Sequence, residues 1–347
     1  MQATNRAALG PRVFICAPFG PTGAPVSAEV RYALRGDGVD GHGERELPVR
    51  AVVFSRDRAM QLDAALRSLA AHCAEAVGLV VDVLFTASST GMARQYEELE
   101  QTWNGPLRLR FRREREFRAD LLQILDGTVE VTEGPPGDPS HMLFLVDDAV
   151  FCRPFSLKHA IRALEDRPRA LGFSLRLGVN TSYCYALDAA QRVPVFEPLG
   201  HGVVVFDWTT AERDFAYPLE VSSSIYDTGR IARMLSGVDF SDPNTLEARL
   251  ASAAAGTWAR LAPELLCFER SVAFCAAVNR VQTVFGNRAG TDARLSPGEL
   301  SRLFDRGLRI DTSAFAGFTP GSCQCEAPFS FVRRESGAGG HDPRQPA

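Results

Sequence analysis

The sequence predicts an α/β fold: a doubly wound, mostly parallel central sheet with helices on both faces. Three observations carry this. Short apolar runs alternate with segments of helical periodicity between residues 50 and 146, the pattern of successive βα units. The run Met142-Leu143-Phe144-Leu145-Val146 is apolar throughout, as a strand covered on both faces must be. Polar residues gather in the turns after these runs, and open α/β sheets bind ligands in the crevice beyond the carboxyl ends of their strands.

Residues 1–49 mix Gly, Pro and small side chains around one apolar patch, 13–17, that reads as an edge strand. The Gly/Pro-rich segment 20–25 lacks the Lys and the helix start of a phosphate loop, so this region is read as an extension. The organised part opens with a strand at 50–54 and the polar turn Ser55-Arg56-Asp57-Arg58. Met60, Leu62, Ala65, Leu66 and Leu69 then recur at helical spacing. A second unit follows with a strand at 79–85 and a helix at 92–102, and a third with a strand at 107–111 and a helix at 118–125. A Gly/Pro/Asp/Ser loop, 134–140, leads into the fourth strand.

Beyond it, 156–164 reads as helix, 170–175 and 202–206 as strands, and Tyr217-Pro218 as a turn. Helices are expected at 226–235 and 244–254, the second opening on the cap-like Pro243-Asn244-Thr245-Leu246-Glu247. An apolar stretch covers 265–278, and 296–306 is a late helix with a Ser-Pro start. The predicted organisation is an extension (1–49), one domain (50–333) and a disordered tail (334–347).

With 347 residues, 45% hydrophobic and 23% charged, the chain has ample material for a globular core. Its net charge of −4 argues against a nucleic-acid binder. Six arginines between Arg108 and Arg118 leave room for a local basic patch facing an anionic ligand, or for a solvated strand edge. Lys158 is the one lysine among 38 basic residues, a compositional bias and not a functional sign. No apolar run reaches the roughly 18 residues of a membrane span, and no signal pattern opens the chain, so a cytoplasmic location is expected. The eight cysteines, Cys16, Cys73, Cys152, Cys184, Cys267, Cys275, Cys323 and Cys325, are scattered in apolar surroundings, as buried thiols of a reducing compartment would be.

Asp147 and Asp148 follow the fourth strand directly, where they can hold a divalent cation; the plain alternative is one capping Asp and one solvated Asp. A polar turn after the first strand and an acidic pair after the fourth suit a nucleoside diphosphate bridged through metal. Carboxylates repel a pyrophosphate, and an intervening Mg²⁺ or Mn²⁺ removes the repulsion and stabilises the leaving group.

The stretch Phe54-Ser-Arg-Asp-Arg-Ala-Met-Gln-Leu-Asp-Ala-Ala-Leu-Arg-Ser-Leu69 resembles the opening of glycosyltransferases of the GT-A (nucleotide-diphospho-sugar transferase) fold, and Val146-Asp147-Asp148 is similar to their Asp-x-Asp motif. Further similarities to a bacterial branch are Phe173-Ser-Leu-Arg-Leu-Gly178 with Asn180, Asp207-Trp208, Tyr217-Pro218-Leu219, Pro243-Asn-x-Leu-Glu247 and Val278-Asn-Arg-Val-Gln282. The resemblance covers about 50–330. It implies a UDP- or GDP-sugar donor, an unidentified acceptor and a Mn²⁺ or Mg²⁺ at Asp148 and Asp147. It also implies a nucleotide-sugar site from Phe54, Ser55, Arg56, Arg58, Arg118, Asp120, Asp147, Arg176 and Asn180.

Several of these residues have plainer readings: Arg56 and Arg58 as arginines paired with Asp57 or Asp63, Phe117 as core, and Trp208 as core and not an acceptor platform. The chain also departs from the pattern. Ser222-Ser223-Ser224 stands where relatives carry an Asp-Gly-His-like element, and Cys323-Gln324-Cys325 where a late histidine often serves the metal. Serine is no base near neutral pH, so Glu220, expected to share a strand face with Ser222, and Asp214 are the replacement base candidates. If neither serves, the chain is a nucleotide-sugar-binding module with impaired catalysis. A nucleotidyltransferase would open with a Gly-rich loop and a Lys, and residues 54–58 have neither.

Overall fold

The first strand, β1 (Val49–Arg56), is buried along all but its last residue, as the apolar run requires of a strand covered on both faces. It belongs to a computed structural model that describes residues 49–126, 140–282, 288–290 and 292–334. The expectations for the extension, the 134–139 loop, Cys16 and the tail from residue 335 lie outside those residues.

After β1 come α1 (Ala59–His72), β2 (Val80–Thr86), α2 (Thr90–Thr102), β3 (Arg108–Arg113), α3 (Phe117–Leu125), β4 (His141–Val146), β5 (Ala149–Phe151), α4 (Leu157–Glu165) and β6 (Ala170–Ser174). A short hairpin of β7 (Tyr183–Cys184) and β8 (Ala189–Ala190) leads to β9 (Glu197–Gly200), β10 (Val203–Asp207), β11 (Ser223–Asp227), α5 (Thr228–Leu235), α6 (Pro243–Ala253) and α7 (Ala259–Leu261). The chain continues through β12 (Glu264–Phe268), β13 (Ala273–Ala276), α8 (Pro297–Asp305), β14 (Leu308–Ile310), β15 (Gln324–Cys325) and β16 (Phe331–Arg333).

Nine strands form one sheet in the order β3-β2-β1-β4-β11-β6-β12-β10-β9. The four βα-derived strands β3, β2, β1 and β4 pair in parallel, as their alternation with helices predicts. Among the described residues β10 and β11 alone run against the rest of this sheet. Side chains of β1 alternate between two cores, one on each face. Ala51 and Val53 pack with Leu62 and Leu66 of α1, and Val52 and Phe54 with Leu121 of α3 and Ile231 of α5. Each fully buried Leu or Phe in these layers contributes about 1.5–3 kcal/mol.

The structure corrects one boundary. Tyr226 and Asp227, expected in a helix, end β11, and Asp227 caps α5 by accepting from the Arg230 N–H at 2.6 Å. The two serines of β11, with Ser222 before them, hide the strand from any apolar pattern, yet Ile225 and Tyr226 are fully buried. Space for the Tyr226 ring comes from Gly172 of β6, where a Cβ would stand 2.3 Å from it.

Because β11 is antiparallel to both neighbours, its beginning lies beside the carboxyl ends of β4 and β6: Ser223 pairs with Leu145, and Ser224 with Ser174. The second half of this sheet edge is therefore built by a strand that starts there. A smaller sheet, β15-β13-β5, adjoins this edge, and the Ala276 N–H of β13 donates to the Asp148 carbonyl at 2.8 Å. Among the described residues no helix is long and apolar enough to cross a membrane. Cys73, Cys152, Cys184, Cys267, Cys275 and Cys323 are buried free thiols.

Candidate functional site at the ends of β1 and β4

Where β1 ends, the chain turns through Asp57 at φ +58°, a left-handed conformation that Asp tolerates better than most residues. The turn is tied to β2: the Asp57 N–H donates to the Thr86 carbonyl at 3.2 Å, and its carboxylate accepts from the Ser88 N–H at 2.7 Å. Arg58 follows, and its own N–H donates to the Tyr96 hydroxyl at 3.0 Å. That hydroxyl also bonds Ser55 Oγ at 2.7 Å. Tyr96 is fully buried on α2 and stacks on Phe85, so the turn rests on a fixed support.

The Arg58 side chain reaches back over the end of β4. Its Nη1 donates to Asp147 Oδ1 at 3.0 Å and to Asp148 Oδ2 at 3.1 Å, and its Nη2 donates to the Asn279 carbonyl at 2.6 Å. Its Nε is buried without a partner. Asp147 Oδ2 accepts from Ser55 Oγ at 2.9 Å and from the Arg56 N–H at 3.2 Å. Asn279 is held in turn by Gln61 Nε2 at 3.1 Å and by the Leu295 carbonyl at 2.6 Å.

Burial pushes the Asp147 carboxyl up, to about 6, against the pull of Arg58 and with a further push from Asp148. Burial pulls the Arg58 guanidinium down, but Asp147 and Asp148 outweigh it and the net direction is upward. Asp148 keeps 17% of its side chain exposed, and Arg56 keeps 59%, so these two are the solvent-facing members of the group.

A second charged group stands across β11. Arg176, just past β6, pairs with Glu220 at 3.3 Å. Glu220 Oε2 accepts from the Ser222 N–H at 2.5 Å and the Ser223 N–H at 3.2 Å, and Oε1 accepts from the Ser224 hydroxyl. Glu220 is 2% exposed. It precedes β11 and shares no strand face with Ser222, contrary to the sequence expectation; its carboxylate caps the strand's first N–H groups instead. Glu247 accepts from the Val221 N–H at 3.0 Å. Burial raises the Glu247 carboxyl, Arg176 lowers it and Glu220 raises it. Ser222 is half-buried, and its carbonyl receives the Val146 N–H at 3.3 Å, so it abuts the acidic pair.

The structure thus brings Ser55, Arg58, Asp147 and Asp148 together and sets Arg176 and Glu220 on the adjoining strand ends. The remaining candidates are occupied elsewhere. Phe54 is core, between the rings of Phe117 and Phe144 at 5.3 and 6.0 Å. Arg118 Nε donates to the Val238 carbonyl at 2.9 Å. Asp120 accepts from the N–H groups of Arg115 and Glu116 at the start of α3. Asn180 spends both ends of its amide on Ser271 and the Pro320 carbonyl. Asp214 accepts from Gln191 Nε2 at 3.3 Å and the Cys184 thiol at 3.4 Å and is partly exposed. Trp208 is core, its Nε1 donating to the Ala262 carbonyl. Two surface hollows, one beside Trp103 and Arg309 and one beside Phe240 and Arg249, are lined by none of the residues around Arg58.

Sequence reasoning missed Tyr96, Gln61 and Asn279. Tyr96 falls in a helical stripe with Ala93 and Leu99, so its periodicity reads as core. Asn279 lies in the Val278–Gln282 similarity, but nothing in the sequence pairs it with Arg58, 221 positions away.

A divalent cation would need oxygens of Asp147 and Asp148. Mg²⁺ is content with one or two carboxylates plus substrate phosphates. Here the one guanidinium already bridges both carboxylates, and the other oxygen of Asp147 is taken by Ser55 and Arg56. As arranged, the pair does not fit a cation that bridges both carboxylates, because the Arg58 guanidinium fills that place; Asp148 Oδ1, on the exposed side, takes no part in these bonds.

No family model matches the chain. Over 208 residues it is 24% identical to a bifunctional glycosyltransferase, pgtA, of Dictyostelium discoideum, a match covering 56% of this chain and 26% of that protein. The chain therefore spans about a quarter of the length of the curated relative it matches. Among solved structures, S. aureus TarS 1-349 in complex with UDP is 15% identical at a TM-score of 0.41, over 65% of this chain and 59% of that one. The mannosyltransferase PcManGT from Pyrobaculum calidifontis, in complex with GDP-Man and Mn²⁺, is 15% identical at a TM-score of 0.38, over 64% of this chain and 55% of that one. The resemblance to GT-A glycosyltransferases read from the residues recurs in the sequence match to a glycosyltransferase.

Proposed function

We propose that the chain is a glycosyltransferase that binds a nucleoside-diphosphate sugar in the crevice at the ends of β1 and β4 and passes the sugar to an acceptor hydroxyl. The observation that carries this reading is the acidic pair Asp147-Asp148 at the mouth of a central parallel strand, facing the Ser55–Arg58 turn of the neighbouring strand. In the reaction the acceptor oxygen bonds to the anomeric carbon as the bond from that carbon to the diphosphate oxygen breaks. The nucleoside diphosphate leaves, and the acceptor proton passes to a base.

The negative charge that develops on the leaving diphosphate needs a preorganised positive partner. Arg56, with 59% of its side chain exposed beside this turn, is the partner the chain offers. The Mn²⁺ or Mg²⁺ implied by the resemblance would have to displace Arg58 to bridge Asp148 and Asp147. Of the two proposed bases, Asp214 has the more accessible carboxylate, while Glu220 is locked between Arg176 and the start of β11.

The test is calorimetric binding of UDP and GDP to the full chain, with a donor-hydrolysis assay across UDP- and GDP-sugars. Binding plus hydrolysis or transfer supports the transferase. The locking of Glu220 favours a second reading, a nucleotide-sugar-binding module without turnover, and binding with no release of sugar from any donor would establish it. No nucleotide binding at all would overturn both.

A further inference from the structure

We propose that Arg58 is the resident counter-cation of Asp147 and Asp148, so that this crevice takes a nucleoside diphosphate without a divalent metal. The proposal rests on the reading of the crevice as a nucleotide-diphosphate site.

A cation shared by two adjacent carboxylates must touch both, and one Arg58 nitrogen does so, at 3.0 Å from Asp147 and 3.1 Å from Asp148. The guanidinium is anchored at its other end by the Asn279 carbonyl at 2.6 Å, and Gln61 and Leu295 hold Asn279 in place. Its backbone is fixed through Tyr96. Arg58 is 8% exposed, so it cannot swing into solvent without giving up these bonds and uncovering Asp147, which is 3% exposed. A metal seated between the same oxygens would meet a positive charge in direct contact, and the repulsion of two cations in a buried pocket is far stronger than in water.

The lone pairs tell the same story. Asp147 Oδ2 already accepts from Ser55 and the Arg56 N–H, and Oδ1 accepts from Arg58. As a metal ligand Asp147 would have to surrender hydrogen bonds that a buried carboxylate needs, which leaves a cation the single oxygen Asp148 Oδ1, next to the guanidinium on Oδ2. Charge for the diphosphate then comes from the chain itself. Arg58 offsets one of the two charges of the acidic pair, and the exposed Arg56 is the cation left to meet the phosphates. Arg58 thus acts on the nucleotide through the aspartates, as a positioning residue.

Two measurements on the full chain decide it. Mn²⁺ titration followed by electron paramagnetic resonance, without nucleotide, is expected to show no uptake by the wild type and uptake by Arg58→Met, whose two carboxylates would seek a new cation. Wild-type uptake that is abolished in Asp148→Asn would overturn the proposal, and this arm stands even if Arg58→Met does not fold. UDP and GDP binding by calorimetry in EDTA and in excess Mn²⁺ is expected to agree within about twofold; tightening by about tenfold or more with Mn²⁺ would overturn the proposal while leaving the nucleotide site intact. Absence of binding in both conditions would remove the nucleotide reading, and the proposal with it.

Discussion

The Tyr96 hydroxyl lies 2.7 Å from Ser55 Oγ and receives the Arg58 N–H at 3.0 Å, so one buried phenol on α2 sets the height of the turn that carries both residues. Tyr96→Phe keeps the ring stacked on Phe85 and leaves a buried N–H without an acceptor. The expected cost is about 1–3 kcal/mol in urea unfolding with an unchanged m-value. Nucleotide affinity should fall as well, because Ser55 and Arg58 lose their common support. A variant as stable as wild type would show that the turn holds itself.

Arg58→Met strips Asp147 of its counter-charge and should cost about 3–5 kcal/mol near neutral pH. Asp147 is raised to about 6 in the fold, above the roughly 3.9 of an unfolded Asp. Its contribution to stability is therefore present below the unfolded value and lost as pH rises through about 6. Without Arg58 the folded value climbs further, so the gap between variant and wild type should be small at acid pH and widen towards pH 8. Urea midpoints across that range test this, and a gap that does not change with pH would contradict it.

Glu247 is also raised, by burial first, and it shares Arg176 with Glu220. The same sign applies: its contribution is present below the unfolded value and is lost as pH rises through the raised one. Glu247→Gln can still accept from the Val221 N–H while carrying no charge. The variant should gain on wild type as pH rises, and parallel pH profiles of thermal unfolding would refute the buried charge as their source.

The two candidate bases should separate cleanly. Glu220→Ala leaves Arg176 buried and unpaired and is expected to cost about 3–5 kcal/mol of stability. Asp214→Asn should unfold much as wild type does, but lose about 100- to 10,000-fold in transfer rate if Asp214 takes the acceptor proton. Equal rates for Asp214→Asn and wild type would remove it from the chemistry.

Gly172→Ala sets a Cβ 2.3 Å from the Tyr226 ring. The Tyr226 hydroxyl is bonded to the carbonyls of Pro218 and Glu220, so the ring cannot retreat freely. Overpacking of this kind costs about 1–3 kcal/mol, readable as a lowered unfolding midpoint.

The βα half of the sheet was legible because β1, β2 and β4 are largely apolar runs and each helix keeps its stripe, while the arginine-rich edge strand β3 was read from its place between two helical segments. β11 was not, since Ser223 and Ser224 are buried by pairing on both edges, a tertiary fact with no local trace. Within the site, Asp147 and Ser55 could be found because each sits at the end of a readable strand. The contact of Arg58 with Asn279 could not, since a side chain meeting a backbone carbonyl across 221 positions leaves no spacing to read. The acidity of Glu220 was visible and its engagement was not, because the N–H groups that bind it belong to every residue alike.

The reversed strand β11 divides the crevice into two inheritances. Its start, carrying Ser222 to the side of Asp147, is delivered by the irregular stretch between β10 and β11, while the Ser55–Arg58 turn is delivered by the parallel half. Lengthening or rewriting that stretch re-equips one wall and leaves the other untouched. If the crevice is the donor site proposed above, that division lets the Ser222 side change while the Ser55–Arg58 turn keeps its own support on Tyr96.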